Sequence, residues 1–569
     1  MRMSKLFART LKDAPAEADV ASHQLMLRAA YIRKVMAGIY TMLPLGWRML
    51  RKIEAIIREE MDASGAQEIR MPIILPSEPW KVTGRWQTYG DLMFKVKDRH
   101  GRELGLGPTQ EEVVTPLVAS EFTSYRDLPV NLYQIEWKYR DEFRPRFGLL
   151  RGREFLMKDA YSFDRNEEGL QASYDVMMEA YRRIFDRCGL RYAVVEADPG
   201  QIGGDVNHEF IAIAEVGEDE FVHCENGDYT ADVEAAVARA PEPRDQGPLE
   251  PLTEVATPGR SSIQAVSEFL GRPPSEMLKC MLYDAGGRTV AVLVPGDREV
   301  NEEKVGRVMW PAPVRPLDDD DFAKRGFIKG YVGPQAMGPD VTIVADLSMR
   351  AGANWITGAN RADFHVTGAN PDRDFRVDRW EDVTQVRPGD PCPVDGGRLL
   401  RDRGIVVGHT YSLGTRYSKP LGATFVDEDG TERPYEMGCY GIGLTRIAAG
   451  AAEQFHDDAG LTLPKAMAPF QVVVVPTNMD QPAVVEAAKR IYGQLTDRGV
   501  EVVLDDREVT AGVKFADADL IGFPVQVVIG KRGIESGQID LKVRASGERS
   551  KVPLDTAADG ALEALARAP

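Results

Sequence analysis

The stretch YRDEFRPRFGLLRGREFLMKDAYSFD, from Tyr139 to Asp164, decides the reading of this chain. It predicts two strands joined by a loop crowded with arginines. Side chains two apart in an extended segment leave the same face, which groups Arg140 with Glu142 on the way out and Phe155, Met157 and Asp159 on the way back. Arg151 stands at the entrance of the return strand. A cation, an anion, an aromatic plate and a second cation in one hairpin suit a nucleoside triphosphate: guanidinium to phosphate, carboxylate to the adenine amine, ring to the base. An isolated arginine-rich hairpin is more often a charged surface element, so the nucleotide reading needs support from elsewhere in the chain.

Two further segments supply it. GCYGIGLTRIAAG, from Gly438 to Gly450, alternates glycine with apolar residues through Gly441 and Gly443 before Arg446 opens a stretch of helical composition. Bare glycine on one strand face lets a flat ligand lie against the backbone, and an arginine at the helix start can reach a phosphate. PLGWRMLRKIEAIIREEMDASGAQEIRMPIILP, from Pro44 to Pro76, predicts a helix with Trp47, Leu50, Ile53, Ile57 and Met61 at helical spacing, ended by Gly65. A strand should follow in which Ile69, Met71 and Ile73 alternate around Pro72, a proline that belongs at an edge or an interface.

In this order the segments resemble motifs 1, 2 and 3 of the class II aminoacyl-tRNA synthetases. Motif 1, the helix and the strand with Pro72, implies a homodimer interface. Arg140, Glu142, Arg151, Phe155 and Asp159 stand for motif 2, and Gly441, Gly443 and Arg446 for motif 3. Thr445 departs from the pattern where many members carry an acid, and Cys439 where many carry glycine. LGPTQEE around Thr109 and Glu111, TGRWQTYGDLMFKVKDR from Thr83 to Arg99, FLMKDAYSFD, GCYGIG, and DDREVTAGVKFADADLIGFP from Asp505 to Pro524 narrow the resemblance to bacterial-type prolyl-tRNA synthetases, over essentially the whole chain.

Length and composition frame the organisation. A chain of 569 residues is too long for one core. Its formal net charge of -18 argues against holding nucleic acid by overall charge. Local patches remain possible: from Lys138 to Lys158 seven Lys or Arg face three acids, and a second basic run spans Lys531 to Lys551. The five cysteines lie far apart without a CxxC pair, which predicts a reduced cytoplasmic protein without a zinc knuckle or disulfide framework. The first residues carry no apolar core of signal length, and no apolar run approaches the ~18 residues of a membrane span.

The expected fold class is multidomain α/β and α+β. Residues 1–223 and 408–466 would form a catalytic domain, an antiparallel sheet flanked by helices. An inserted α/β domain of the editing type would occupy 224–407, entered through the proline- and acid-rich connector Ala238 to Gly259. Alternating strands and helices from Phe470 predict a C-terminal α/β anticodon-binding domain, 467–569, with a mostly parallel or mixed sheet.

The resemblance implies that L-proline is activated by ATP and Mg2+ and passed to tRNA(Pro). Arg140 would meet the α-phosphate, Arg151 and Arg446 the γ-phosphate, and Phe155 the adenine; no Mg2+ ligand is assigned. TQEE is also a capping box, with Thr109 as N-cap and Glu112 at the third position, a role that leaves Glu111 free. By resemblance Thr109 and Glu111 bind the substrate's ring nitrogen, and His208 and Cys439 border the proline pocket. Arg144 in the motif 2 loop would lie near the tRNA acceptor end, and Asp505, Arg507, Lys514 and Phe515 at the anticodon. In the insertion Lys279 shares a predicted strand face with Met277, Met281 and Tyr283, where a lysine ordinarily snorkels. Resemblance instead places Lys279, Asp346, Gly352 and His365 in a pocket that hydrolyses mischarged alanyl-tRNA. Asp318 to Asp321 reads as a helix cap rather than a metal cluster. Two other readings stay open: a tRNA-binding regulator without catalysis, and a synthetase of the same class for threonine or glycine.

Overall fold

The structure is a computed structural model and describes residues 1–197, 206–227, 229–242 and 248–569. The chain divides into two compact units, one made of Met1–Val195, Pro199–Asp219 and Arg403–Pro569, the other of Glu196–Asp198 and Glu220–Asp402.

The first unit begins its core with helix α1 (Pro44–Ala63). Proline sits in its first turn, where a missing N–H costs nothing, and Gly65 with φ 85° stops it. Leu50, Ile53, Ile57 and Met61 are buried as the spacing predicts, whereas Trp47 is 41% exposed. The strand expected around Pro72 is interrupted. Only β1 (Gln67–Glu68) joins the sheet, and pairing with a different sheet resumes at Ile74–Pro76. Between them the Met71 N–H donates to the side-chain oxygen of Gln134 at 3.0 Å, taking a side-chain acceptor instead of a strand partner.

Helix α2 (Glu111–Glu121) leads to β2 (Val130–Tyr139) and β3 (Glu154–Asp164), which pair antiparallel from Val130↔Phe163 to Tyr139↔Glu154. After helix α3 (Glu167–Arg187) come β4 (Val206–Ile213), β5 (Leu399–Gly414), β6 (Glu436–Gly443) and helix α4 (Leu444–Gln454). Six of these strands run in the order β4-β5-β6-β3-β2-β1, antiparallel except for β1 with β2. One face carries Tyr133, Leu156, Ala160, Tyr440 and Ile442 into a core with α1, α3 and α4. The alternate residues face the other way and leave room for a ligand.

From Val472 the order is β7 (Val472–Pro476), α5 (Pro482–Asp497), β8 (Val502–Leu504), α6 (Ala511–Ile521), β9 (Val525–Ile529), β10 (Gln538–Val543), β11 (Arg549–Pro553) and α7 (Ala557–Arg567). The sheet is mixed, in the order β8-β7-β9-β10-β11, its first three strands parallel. This segment has an apolar core of its own, with Val474, Ile491, Val527 and Leu541, and also belongs to the first compact unit. Phe470, Val473, Val503 and Phe523 share the apolar cluster of Tyr31 and Ile57, and the Tyr31 hydroxyl donates to the Ile521 carbonyl at 2.9 Å.

The second unit carries a five-stranded mixed sheet, in the order Val314–Pro316, Leu278–Ala285, Arg288–Pro295, Thr342–Asp346, Arg379–Glu381. A three-stranded antiparallel sheet accompanies it: Thr253–Ala256, Phe364–Ala369, Trp355–Gly358. Asp318 caps the helix Asp319–Arg325, accepting the Asp321 N–H at 2.8 Å in a capping box, as the sequence predicts.

Candidate active site

The alternation on β3, β5 and β6 builds the site. Register pairs Gly441 with Asp159 and with His409, Gly443 with Met157, and Cys439 with Tyr161 and Tyr411. Residues directly opposite share a sheet face, so Met157, Asp159, His409, Tyr411, Cys439, Gly441 and Gly443 floor a cavity of about 470 Å³. Arg140, Glu142, Arg151, Phe155 and Arg446 wall it, together with Thr109. A Cβ at Gly441 would meet only the Met157 thioether, at 3.9 Å, which leaves that stretch of backbone open to a flat ligand.

The cations are placed differently. Arg140 lies 5.2 Å from the Phe155 ring centroid; its Nη2 donates weakly to the Pro108 carbonyl at 3.4 Å, and its buried Nε has no partner. A buried guanidinium N–H without an acceptor is costly unless something supplies one, and an anion in the cavity would. Arg446, the third residue of α4, donates to the carbonyls of Leu150 (3.1 Å) and Val406 (2.9 Å). Burial lowers its pKa, with Arg140 adding to the effect and Asp219 opposing it. Arg151 bridges Glu142 and Glu218, each at 3.0 Å, and the bond to Glu142 leads in raising its pKa. Arg144 is exposed beside Phe143 in the loop.

Behind Thr109 lies a buried charge cluster. The capping box expected there does not form: Gln110 occupies the N-cap without a side-chain bond, and the Thr109 hydroxyl donates to Glu111 Oε2 at 2.6 Å. Arg85 Nη1 lies 3.1 Å from both Glu111 and Glu112, and the Cys439 thiol donates to Glu111 Oε1 at 3.3 Å. Burial works against ionising Glu111, but Arg85 and Thr109 outweigh it and leave its pKa lowered. Glu112 goes the other way, pushed up to about 7 by burial and by Glu111 against the pull of Arg85. Glu111 therefore stands one layer behind the cavity, holding Thr109 and Cys439 at its wall.

His208 departs from expectation. Its Nδ1 lies 2.8 Å from the Tyr174 hydroxyl on the helix side of β4, while its neighbour Glu209 reaches the cavity. One residue along a strand reverses the face. The cavity histidine is His409, stacked on Tyr411 at 3.8 Å, with Nδ1 2.8 Å from the Tyr411 hydroxyl and 3.2 Å from Glu209. The sequence signal for His409 and Glu209 was weak. It was the alternation of GIVVGHTYSLG, a strand whose partner lies some two hundred residues away.

The other expected residues do not reach this cavity. Arg507 is paired with Asp505 (2.7 Å) and Asp517 (2.7 Å). Lys514 is buried, its ammonium bonded to the carbonyls of Pro476 (2.9 Å) and Asp505 (2.8 Å), so it offers no charge to a phosphate. Phe515 is half-buried against the core. In the second unit Lys279 and His365 line a separate cavity of about 240 Å³. Lys279 bonds Glu299 and the Arg298 carbonyl, each at 2.8 Å, and His365 meets Thr257 at 2.7 Å. Asp346 is not on that wall: its carboxylate accepts the Ser348 and Val383 N–H groups at 2.9 Å. Gly352 is also off the wall, kept bare by the Trp355 ring, which a Cβ would strike at 2.2 Å.

Comparison with known proteins fits this geometry. The model of the tRNA synthetase class II core domain (G, H, P, S and T) matches residues 94–455, and that of the anticodon binding domain matches 471–563. Proline--tRNA ligase of Halothermothrix orenii is 49% identical over 558 residues, covering 98% of each chain. That of Moorella thermoacetica is 49% identical over 557 residues, 98% of this chain and 97% of its own. Among solved structures, prolyl-tRNA synthetase from Cryptosporidium parvum complexed with L-proline and AMP has a TM-score of 0.58 at 15% identity, over 98% of this chain and 78% of that one. Sharing nearly half its residues with these ligases from end to end, and the class II core over most of its length, the chain belongs to the proline–tRNA ligase family of class II aminoacyl-tRNA synthetases.

Proposed function

We propose that this chain activates L-proline with ATP and transfers the prolyl group to tRNA(Pro). The observation that carries the reading is the convergence of Arg140, with its unpartnered Nε, and the half-buried Arg446 on one cavity floored by bare glycine. The proline carboxylate attacks the α-phosphorus of ATP and pyrophosphate leaves. The nucleophile is already an anion, so the protein supplies alignment and charge compensation rather than a base. Arg140 compensates the α-phosphate, Arg446 and Arg151 the far end of the triphosphate, and Phe155 stacks on the adenine against Gly441. Thr109 takes one N–H of the proline nitrogen, and the ionised Glu111 behind it supplies the balancing charge.

Magnesium fits the donor set. Glu209, Glu218 and Asp219 bring carboxylate oxygens to the cavity, and magnesium takes one or two such ligands together with substrate phosphates. Bound there it would neutralise phosphate charge. Burial raises the pKa of Asp219 while Arg446 opposes the shift, so this carboxylate gains from a cation beside it.

The finer readings follow the resemblance. The enzyme works in the cytoplasm as a homodimer through α1 and the Pro72 segment, where Trp47 and Ile74 are exposed. No helix among the described residues is long and apolar enough to cross a membrane. The motif 2 loop, with Arg144, meets the acceptor end of tRNA, and the segment after Phe470 the anticodon. The cavity at Lys279 and His365 removes alanine from mischarged tRNA, since a site shaped for proline rejects a side chain smaller by a methylene or two by only ~1–3 kcal/mol each. Proline-dependent ATP–pyrophosphate exchange tests the central reading, with threonine and glycine as comparators. Exchange with proline alone supports it, and exchange with neither proline nor the others removes it.

A further inference from the structure

Cys224 and Cys392 lie at opposite ends of the inserted unit's sequence, a spacing that predicts neither a zinc knuckle nor a disulfide. The fold brings them together. Their Sγ atoms and a carboxylate oxygen of Asp395 lie within 4.8 Å of one another, a grouping of donors that recurs nowhere else among the described residues. Both thiols are buried, and Asp395 is exposed.

The surrounding backbone is shaped around these atoms. The N–H of Asn226 points at Cys224 Sγ (3.5 Å) and that of Val394 at Cys392 Sγ (3.4 Å), the same offset of two residues on each loop. The Gly397 N–H donates to Asp395 Oδ1 at 2.9 Å, and Asn226 Nδ2 to Oδ2 at 2.5 Å. Each ligand candidate thus has an N–H donor behind it, the kind of outer support that orients metal ligands and favours their anionic forms. A Cβ at Gly397 would lie 3.1 Å from Cys224 Sγ, so the loops close tightly on the cluster.

We propose that Cys224, Cys392 and Asp395 form a binding site for a thiophilic divalent cation of the zinc type, with solvent in the fourth position. Two sulfurs and one oxygen at this separation suit a tetrahedral d¹⁰ ion, and the exposed side of Asp395 leaves room for a water. Without the ion the Cys224 thiol keeps its proton and donates it to Asp395 Oδ1 at 3.3 Å. Binding replaces the thiol protons, two thiols and one dication giving two metal–sulfur bonds and two released protons, so affinity rises with pH. The ion clasps the end of the strand Asp219–Cys224 to the loop Pro391–Arg398 and pins the two ends of the unit. The site is independent of the ligase reading.

The test uses the full chain, stripped with a chelator and titrated with Co2+ and then with Zn2+ against a chromophoric competitor. Expected are one equivalent per chain, a thiolate-to-cobalt charge-transfer band, and tighter binding at pH 8 than at pH 6. Cys224→Ser and Cys392→Ser lose the band, Cys188→Ser keeps it, and Asp395→Asn, on an exposed loop, retains the fold but weakens zinc binding at least about tenfold. Three results would each overturn the proposal: a cobalt spectrum without thiolate character, zinc binding by Asp395→Asn equal to that of the parent, or a Cys224–Cys392 disulfide in protein isolated without reductant.

Discussion

Arg85→Met probes the charge cluster behind the proline pocket. The Arg85 side chain is 6% exposed and is ringed by Trp80, Tyr89 and Tyr417, with its carbon centre 4.9, 5.1 and 5.2 Å from their centroids. Methionine fills the apolar part of that volume and leaves Glu111 and Glu112 without their cation. Breaking a buried pair from one side costs about 3–5 kcal/mol, because the surviving charge stays buried. The same figure follows from protonation. A carboxyl forced neutral at pH 8, against an ordinary value of 4.5, costs roughly 3.5 pH units at about 1.4 kcal/mol each, or about 5 kcal/mol. Glu112 already bears much of this in the parent, since its pKa stands at about 7. The added cost therefore falls mainly on Glu111.

The sign of the pH dependence is fixed by the same reasoning. In the parent Glu111 titrates below its ordinary value, so its contribution to stability is present above pH 4.5. In Arg85→Met its pKa rises, the folded state binds the extra proton, and stability is lost as pH climbs above 4.5. The deficit of the variant should be about 5 kcal/mol at pH 8 and fall to about 1 kcal/mol near pH 5. Urea titration followed by tryptophan fluorescence, to which Trp80 beside Arg85 contributes, measures it at both pH values. In exchange assays the KM for proline rises while that for ATP holds, because Thr109 and Cys439 lose the ionised group that positions them. A deficit below about 1 kcal/mol at pH 8, or one of equal size at pH 5, would refute the account.

Three other substitutions separate the parts of the site. Arg446→Ala should lower kcat in proline-dependent exchange by about 10²–10³, the range for removing one preorganised donor, with the fold intact by circular dichroism; a loss under tenfold would take Arg446 away from the triphosphate. Gly441→Ala should keep the parent's melting temperature, since its Cβ meets only Met157 at 3.9 Å, yet raise the KM for ATP; Gly438→Ala, whose Cβ would lie 2.8 Å from the Ser162 hydroxyl and even closer to that of Tyr440, should instead lower the melting temperature. Lys279→Ala should leave prolyl transfer unchanged and slow hydrolysis of alanyl-tRNA(Pro), and unchanged hydrolysis would remove Lys279 from that cavity.

Local pattern carried the reading furthest where one strand or helix presents its own chemistry. Period-two alternation placed Phe155, Met157 and Asp159 on one face of β3, and the glycines of β6 against them, because side-chain direction in a strand is a property of the strand alone. It failed where the outcome depended on a partner distant in sequence. His208 and Glu209 are adjacent on β4, and choosing which of them meets the ligand requires the register against β5, where Glu209 opposes His409. Thr109 and Glu112 have the spacing of a capping box, yet Arg85 claims both acids, and a buried guanidinium outweighs a cap worth about 1 kcal/mol. Lys514 has the composition of a phosphate contact, but its place on the inner face of α6 turns its ammonium to two carbonyls. Cys224 and Cys392 are the extreme case: no spacing rule links residues so far apart, and only the closing of the inserted unit brings them within reach of one ion. In each instance the residue type announced what chemistry was possible, and long-range register decided which neighbour would use it.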